Sequence, residues 1–158
     1  ENPLSFETEQ RWEQVHSGEE LPTDVFRIAI YMSPLDVHVQ RSPIESKIVS
    51  MEHRTGKGLS RGPFRRASKK ESEANERVRT VLQAEDGLLI EVTQISGAMA
   101  RTIIPFSFVS ENLSRGQRYG MIRFGSRVDI RVPAKGIAPL VEPGSMVLAG
   151  SSPLFRRE

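Results

Sequence analysis

The chain has 158 residues, 37% hydrophobic and 27% charged, with a net charge of +2, a balance that suits one globular domain with its own core. It contains no cysteine, which excludes a disulfide framework, a thiolate metal site and a cysteine nucleophile. No apolar run reaches the roughly 18 residues that a bilayer-spanning helix needs.

Residues 1–24 carry seven acids against one base, Arg11, and read as a polar leader, peripheral or mobile. Within it, Phe6 to Val15 has the makings of a short helix, with Ser5 as its cap and acids in the first turn. The domain proper is expected over 25–158. Val25 to Met32 is rich in β-branched and aromatic residues and predicts a buried strand. Ser33-Pro34 ends it, Leu35 to Gln40 follows as a short element, Ser42-Pro43 breaks the chain again, and Ile44 to His53 predicts another strand.

Residues 54–74 read as a long loop. Across 53–79 there are nine Lys or Arg against three Glu, a charge pattern that suits an anionic lipid surface. Nucleic acid is not expected, because that stretch offers only Phe64 for base stacking. Glu76 to Ala84 and Leu88 to Ile95 predict a hairpin across Glu85-Asp86-Gly87. Ala98 to Phe108, Tyr119 to Phe124, Arg127 to Val132, Gly136 to Val141 and Met146 to Ala149 complete a series of short strands. A weak repeat relates the stretch 109–120 to 141–150, each reading as strand, glycine turn and strand. Together these predict a mainly β fold, a single barrel-sandwich-like domain of short antiparallel strands.

Three Gly-Ser steps occur, at 125–126, 144–145 and 150–151, and each taken alone reads as a turn. The first differs in lying between two strand-like runs, where the Ser126 hydroxyl follows the Gly125 carbonyl directly. His38 is a candidate for proton transfer, since imidazoles as a class titrate near about pH 6.5, but taken alone it reads as half of a structural histidine–carboxylate pair with Asp36. If residues 36–38 are extended, Asp36 falls on the same face as His38 and is placed to orient it. His16 and His53 have no such context, and three scattered histidines without cysteine do not make a metal site.

Four blocks carry a resemblance. They are Met32-Ser33-Pro34-Leu35-Asp36-Val37-His38-Val39-Gln40-Arg41-Ser42-Pro43; Asn75-Glu76-Arg77; Gln94-Ile95-Ser96-Gly97-Ala98-Met99-Ala100-Arg101; and the stretch from Gly116 through Arg118-Tyr119-Gly120 to Phe124-Gly125-Ser126-Arg127-Val128-Asp129. In this order they resemble the short-form, pyruvoyl-dependent phosphatidylserine decarboxylases. The resemblance implies that Ser126 attacks the Gly125 carbonyl, that the chain is cut into a β chain (1–125) and an α chain (126–158), and that Ser126 becomes a covalent pyruvoyl cofactor. It implies an enzyme, a carboxy-lyase, that converts phosphatidylserine to phosphatidylethanolamine and CO2 through a Schiff base. His38 and Asp36 match the family's Asp-x-His motif and are the implied catalytic partners. Arg41, Arg101, Arg118, Arg123 and Arg127 fall in matched blocks and are candidates for the lipid phosphate or carboxylate, to which a guanidinium fork is suited.

The implied partners are a phospholipid, the membrane surface on which the protein would sit peripherally, and the two products of cleavage, which would stay together and form a homodimer of the pair. The family's upstream Ser-Pro-Ala-Asp-Gly block has no counterpart; the nearest stretch is Leu21-Pro22-Thr23-Asp24. With a first residue of Glu1, the expectation is a fragment, a processed product or a diverged relative. The competing reading is an uncleaved, non-catalytic homologue that serves as a lipid-binding or scaffold module.

Overall fold

The computed structural model describes residues 24–54, 75–97, 102–123 and 125–158, and the backbone of one strand at Ser5–Glu9. Strands β1 (Ser5–Glu9), β2 (Val25–Met32), β3 (Val39–Arg41), β4 (Ser46–Arg54), β5 (Arg77–Gln83), β6 (Leu89–Ile95), β7 (Ile103–Pro105), β8 (Asn112–Leu113), β9 (Arg118–Ile122), β10 (Ser126–Pro133), β11 (Ile137–Pro139) and β12 (Phe155–Arg157) form three antiparallel sheets. The main sheet has the order β1-β2-β10-β6-β5-β4-β8; a second sheet is β3-β9-β7 and a third is β11-β12. The mainly β expectation holds.

Period-two alternation divides the central strands into two faces. Ile28, Ile130, Val92, Leu82 and Ile48 point to one side, where Ile103, Tyr119 and Ile122 of the second sheet close the core over them. Burying each such aliphatic side chain contributes about 1.5–3 kcal/mol.

The opposite face of the same strands is also buried, but it is charged. Asp129 accepts a hydrogen bond from Arg127 at 3.0 Å and lies 3.6 Å from Arg27. Glu91 sits 2.6 Å from Arg79 and 2.9 Å from Arg131. Burial pushes both carboxyls up, and the arginines pull them back. Ionised carboxylates hold such positions only when paired.

The expected hairpin forms as β5–β6. Gly87, at φ 88°, makes the turn, and its N–H reaches the Ala84 carbonyl at 2.9 Å. Several local expectations change. Residues 6–9 belong to a strand, not a helix, because β1 pairs with β2 from Ser5↔Ala29 to Glu9↔Val25; residues 10–15 lie outside the described residues, as do 55–74 of the expected long loop. Residues 33–38 form a turn rather than an extended element, and β3 begins only at Val39. Met146 to Ala149 is not a strand: the Ser152 hydroxyl accepts the Leu148 N–H at 2.9 Å, and this bend folds β12 back onto β11. The repeat therefore does not carry through, since 112–122 supplies two strands and 141–150 supplies none.

Candidate functional site

The site lies at one end of the main sheet, where β2 leaves, β10 enters and β6 ends. Ser33-Pro34 stops β2, and the chain reverses in a tight turn in which the Asp36 N–H bonds the Ser33 carbonyl at 3.0 Å. The Ser33 N–H in turn bonds Asp36 Oδ2 at 2.7 Å. The Ser33 hydroxyl first, and its N–H second, hold the exposed Asp36 carboxyl below the usual carboxylate range. This turn returns His38 to the sheet end.

There, His38 Nε2 lies 3.0 Å from the Ser33 carbonyl oxygen and Nδ1 lies 3.1 Å from Ser126 Oγ. A carbonyl only accepts, so Nε2 carries the ring proton. Nδ1 of the neutral ring is then the acceptor for the Ser126 hydroxyl. Ser126 is fully buried. This is the arrangement of a hydroxyl nucleophile beside a base whose tautomer is fixed by a third group.

The base is braced from below. The Gln40 side-chain N–H₂ donates to the His38 carbonyl at 2.7 Å, and that of Gln94 donates to Gln40 Oε1 at 2.7 Å. Both amides are buried. Gly120 leaves room for this pair, since a Cβ there would come within 2.8 Å of Gln94 Nε2. The Ile122 N–H makes a second bond to the His38 carbonyl at 3.1 Å.

Gly125 has a φ of 60°, a left-handed conformation that favours glycine. Its carbonyl oxygen packs against Gly97, and a Cβ built on Gly97 would overlap it. Gly97 follows Ser96, which is gripped twice: Asn75 Nδ2 donates to the Ser96 carbonyl at 2.8 Å, and the Ser96 N–H donates to the Glu76 carbonyl at 2.9 Å. The Glu76 carboxylate accepts from His53 Nε2 at 3.0 Å. The second and third sequence blocks therefore meet the fourth at the Gly125-Ser126 step.

Of the residues singled out from sequence, His38, Gly125 and Ser126 come together. Asp36 is two residues from His38, but it shapes the turn while the Ser33 carbonyl orients the ring. Arg127 points to the sheet face opposite Ser126, into the buried pair with Asp129. Arg41 is exposed and bonds the Gly116 carbonyl at 2.8 Å. Arg118 and Arg123 are exposed. Arg101 lies outside the described residues. Sequence reasoning quoted Gln40, Gln94 and Gly97 without giving them roles. The available signal was a glutamine at a core-facing strand position, two residues from Val92.

A cavity of about 1490 Å³ runs between the sheets, lined by Ile30, Met32, Val39, Tyr119, Val128 and Leu154 among others. It reaches Met32, Asp36 and Val37 beside the site without including Ser126 or His38. Its volume exceeds the roughly 300–1,000 Å³ of ordinary small-molecule pockets. No helix among the described residues is long and apolar enough to cross a membrane.

Residues 7–154 match the family model for phosphatidylserine decarboxylase. The phosphatidylserine decarboxylase proenzyme of Thermobifida fusca is 46% identical over 142 residues, 90% of this chain and 62% of that protein. The proenzymes of Erythrobacter litoralis and Streptomyces griseus are 44% and 45% identical over 130 residues, 82% of this chain and 50% and 57% of theirs. The chain thus spans about half to three-fifths of the length of these relatives. No solved structure matches it. From the family match and the extent of these identities, the chain belongs to the phosphatidylserine decarboxylase family.

Proposed function

We propose that this protein is a proenzyme that cuts itself between Gly125 and Ser126 and then decarboxylates phosphatidylserine at a membrane surface. The observation that carries this reading is the 3.1 Å contact between His38 Nδ1 and Ser126 Oγ, with the other ring nitrogen held by the Ser33 carbonyl. His38 takes the Ser126 hydroxyl proton as Oγ bonds to the Gly125 carbonyl carbon. The C–N bond then breaks, the amide nitrogen receives a proton, and an ester links the two halves. Loss of the Ser126 α-proton and of the Gly125 carboxylate leaves dehydroalanine. Addition of water and release of ammonia convert it to a ketone at the new N-terminus.

The residues present suit that group. Ser126 is its atom source, buried and flanked by a fixed imidazole. When formed, the pyruvoyl group supplies an electron sink for loss of CO2. This chain's part is to exclude water, to orient the substrate carboxylate, and to hold a proton on His38 for return to the product. The part of the cavity lined by Ile30, Met32, Val37 and Val39 suits an acyl chain of the lipid.

The test is CO2 release from phosphatidylserine vesicles. The wild-type protein is expected to release CO2 and Ser126→Ala to release none. Equal release from Ser126→Ala, or none from a cleaved wild type, would overturn the assignment.

A further inference from the structure

We propose that Gly97 is the seat of the scissile carbonyl, and that Asn75 is a positioning residue that holds the seat in place. The proposal rests on the self-cleavage reading and names residues that act in its first step.

The antiparallel register of β10 with β6 ends at Arg127↔Ile95. Continued past the last pair, it sets Ser126 opposite Ser96 and Gly125 opposite Gly97. The packing agrees, because the three heavy atoms nearest to a Cβ built on Gly97 are the O, C and Cα of Gly125. Gly97 is also absent from the glycines with positive φ, so its backbone does not by itself require glycine. The approach of the Gly125 carbonyl is what requires a missing side chain at 97.

The seat is rigid. Ser96 is fully buried, and both of its backbone polar groups are used, one by the Asn75 side chain and one by the Glu76 carbonyl. Asn75 and Glu76 are themselves only 2% and 3% exposed. When Ser126 Oγ approaches, the Gly125 carbonyl has fixed backbone behind it and retains its place beside the nucleophile. Holding reacting groups in attack geometry is a large part of a catalytic rate, and a displacement of about 1 Å costs on the order of 10²-fold.

The experiment follows the uncut chain over time in freshly expressed protein by denaturing gel and intact mass, for wild type, Gly97→Ala and Asn75→Ala. Each substitution is also made with Ser126→Ala, so that melting is compared between uncut chains. Gly97→Ala is expected to cut at least about 100-fold more slowly than wild type, and Asn75→Ala, which adds no bulk, to slow cutting while melting with its uncut control. Hydroxylamine, which severs an accumulated ester, is expected not to fragment Gly97→Ala, because the ester itself fails to form.

Cutting of Gly97→Ala within about threefold of wild type would overturn the seat, and so would hydroxylamine fragmentation of that variant. Wild-type cutting by Asn75→Ala would overturn the positioning role, whether or not Gly97→Ala folds. A wild-type chain that never cuts would instead sink the self-cleavage reading.

Discussion

In the proposed self-cleavage the attacking group is a serine hydroxyl, a poor nucleophile, and two neighbours of Ser126 are placed to compensate for that. His38 accepts its proton, and the Ser33 carbonyl keeps the accepting nitrogen free by claiming the proton on the other one. A glutamine at position 38 keeps polar contacts but cannot act as a base in the same way. His38→Gln is expected to slow chain cutting by about 10²–10⁴-fold, the usual contribution of a positioned general base, as followed on a denaturing gel. The spacing argument made Asp36 the residue that orients His38, whereas the Ser33 carbonyl orients the ring and Asp36 forms the turn. That spacing argument assumed an extended backbone, whereas Pro34 and the paired Ser33–Asp36 bonds fold it into a turn.

At the scale of elements, the site is made by strand ends. β2 and β10 lie side by side from Ser126↔Met32 to Pro133↔Val25, so the residue that ends one strand meets the residue that begins the other. β3 then lies on β9 with Gln40 opposite Gly120, and this carries Gln40 under the His38 carbonyl. Gln40→Leu leaves the Gln94 amide without its partner in the core. It is expected to destabilise the fold by about 1–3 kcal/mol, read as a shift in urea midpoint, and to slow cutting by more than that loss of stability accounts for. The strands themselves were legible where β-branched runs or turn signals were strong, as in β2, β5, β6 and β10. Those at 112–113 and 155–157 were not. Strands of two or three residues have too few alternations to register, and their pairing is decided by distant partners such as Ser46 and Ile137.

Across the whole molecule, the sheet separates two environments. One face holds the aliphatic core and the cavity. The other holds Asp129, Glu91, Arg27, Arg79, Arg127 and Arg131 in paired contact. Arg127 shows how this escaped the sequence: a matched arginine next to Ser126 invites a substrate role, but strand alternation turns it to the far side. Removing one charge from this network strands its partners. Asp129→Asn is expected to cost roughly 3–5 kcal/mol, measured by denaturant unfolding of the Ser126→Ala chain so that cutting does not intrude. In the chain that keeps Ser126, the same substitution is expected to leave the His38–Ser126 contact intact in whatever fraction remains folded, because it lies on the opposite face. Family membership and the mainly β architecture were legible because long matched blocks and period-two patterns are local. The convergence of Asn75, Ser96 and Gly125 was not, because it depends on the register of β5, β6 and β10 together.

Whether the backbone is broken after Gly125 is decided by the intact mass of freshly purified protein. The expected spectrum shows two species, of 125 and 33 residues, whose masses together equal the 17.7 kDa chain with one water gained and one ammonia lost. The shorter would carry a ketone reactive toward hydroxylamine. A single unmodified species of 17.7 kDa that persists on incubation would contradict it.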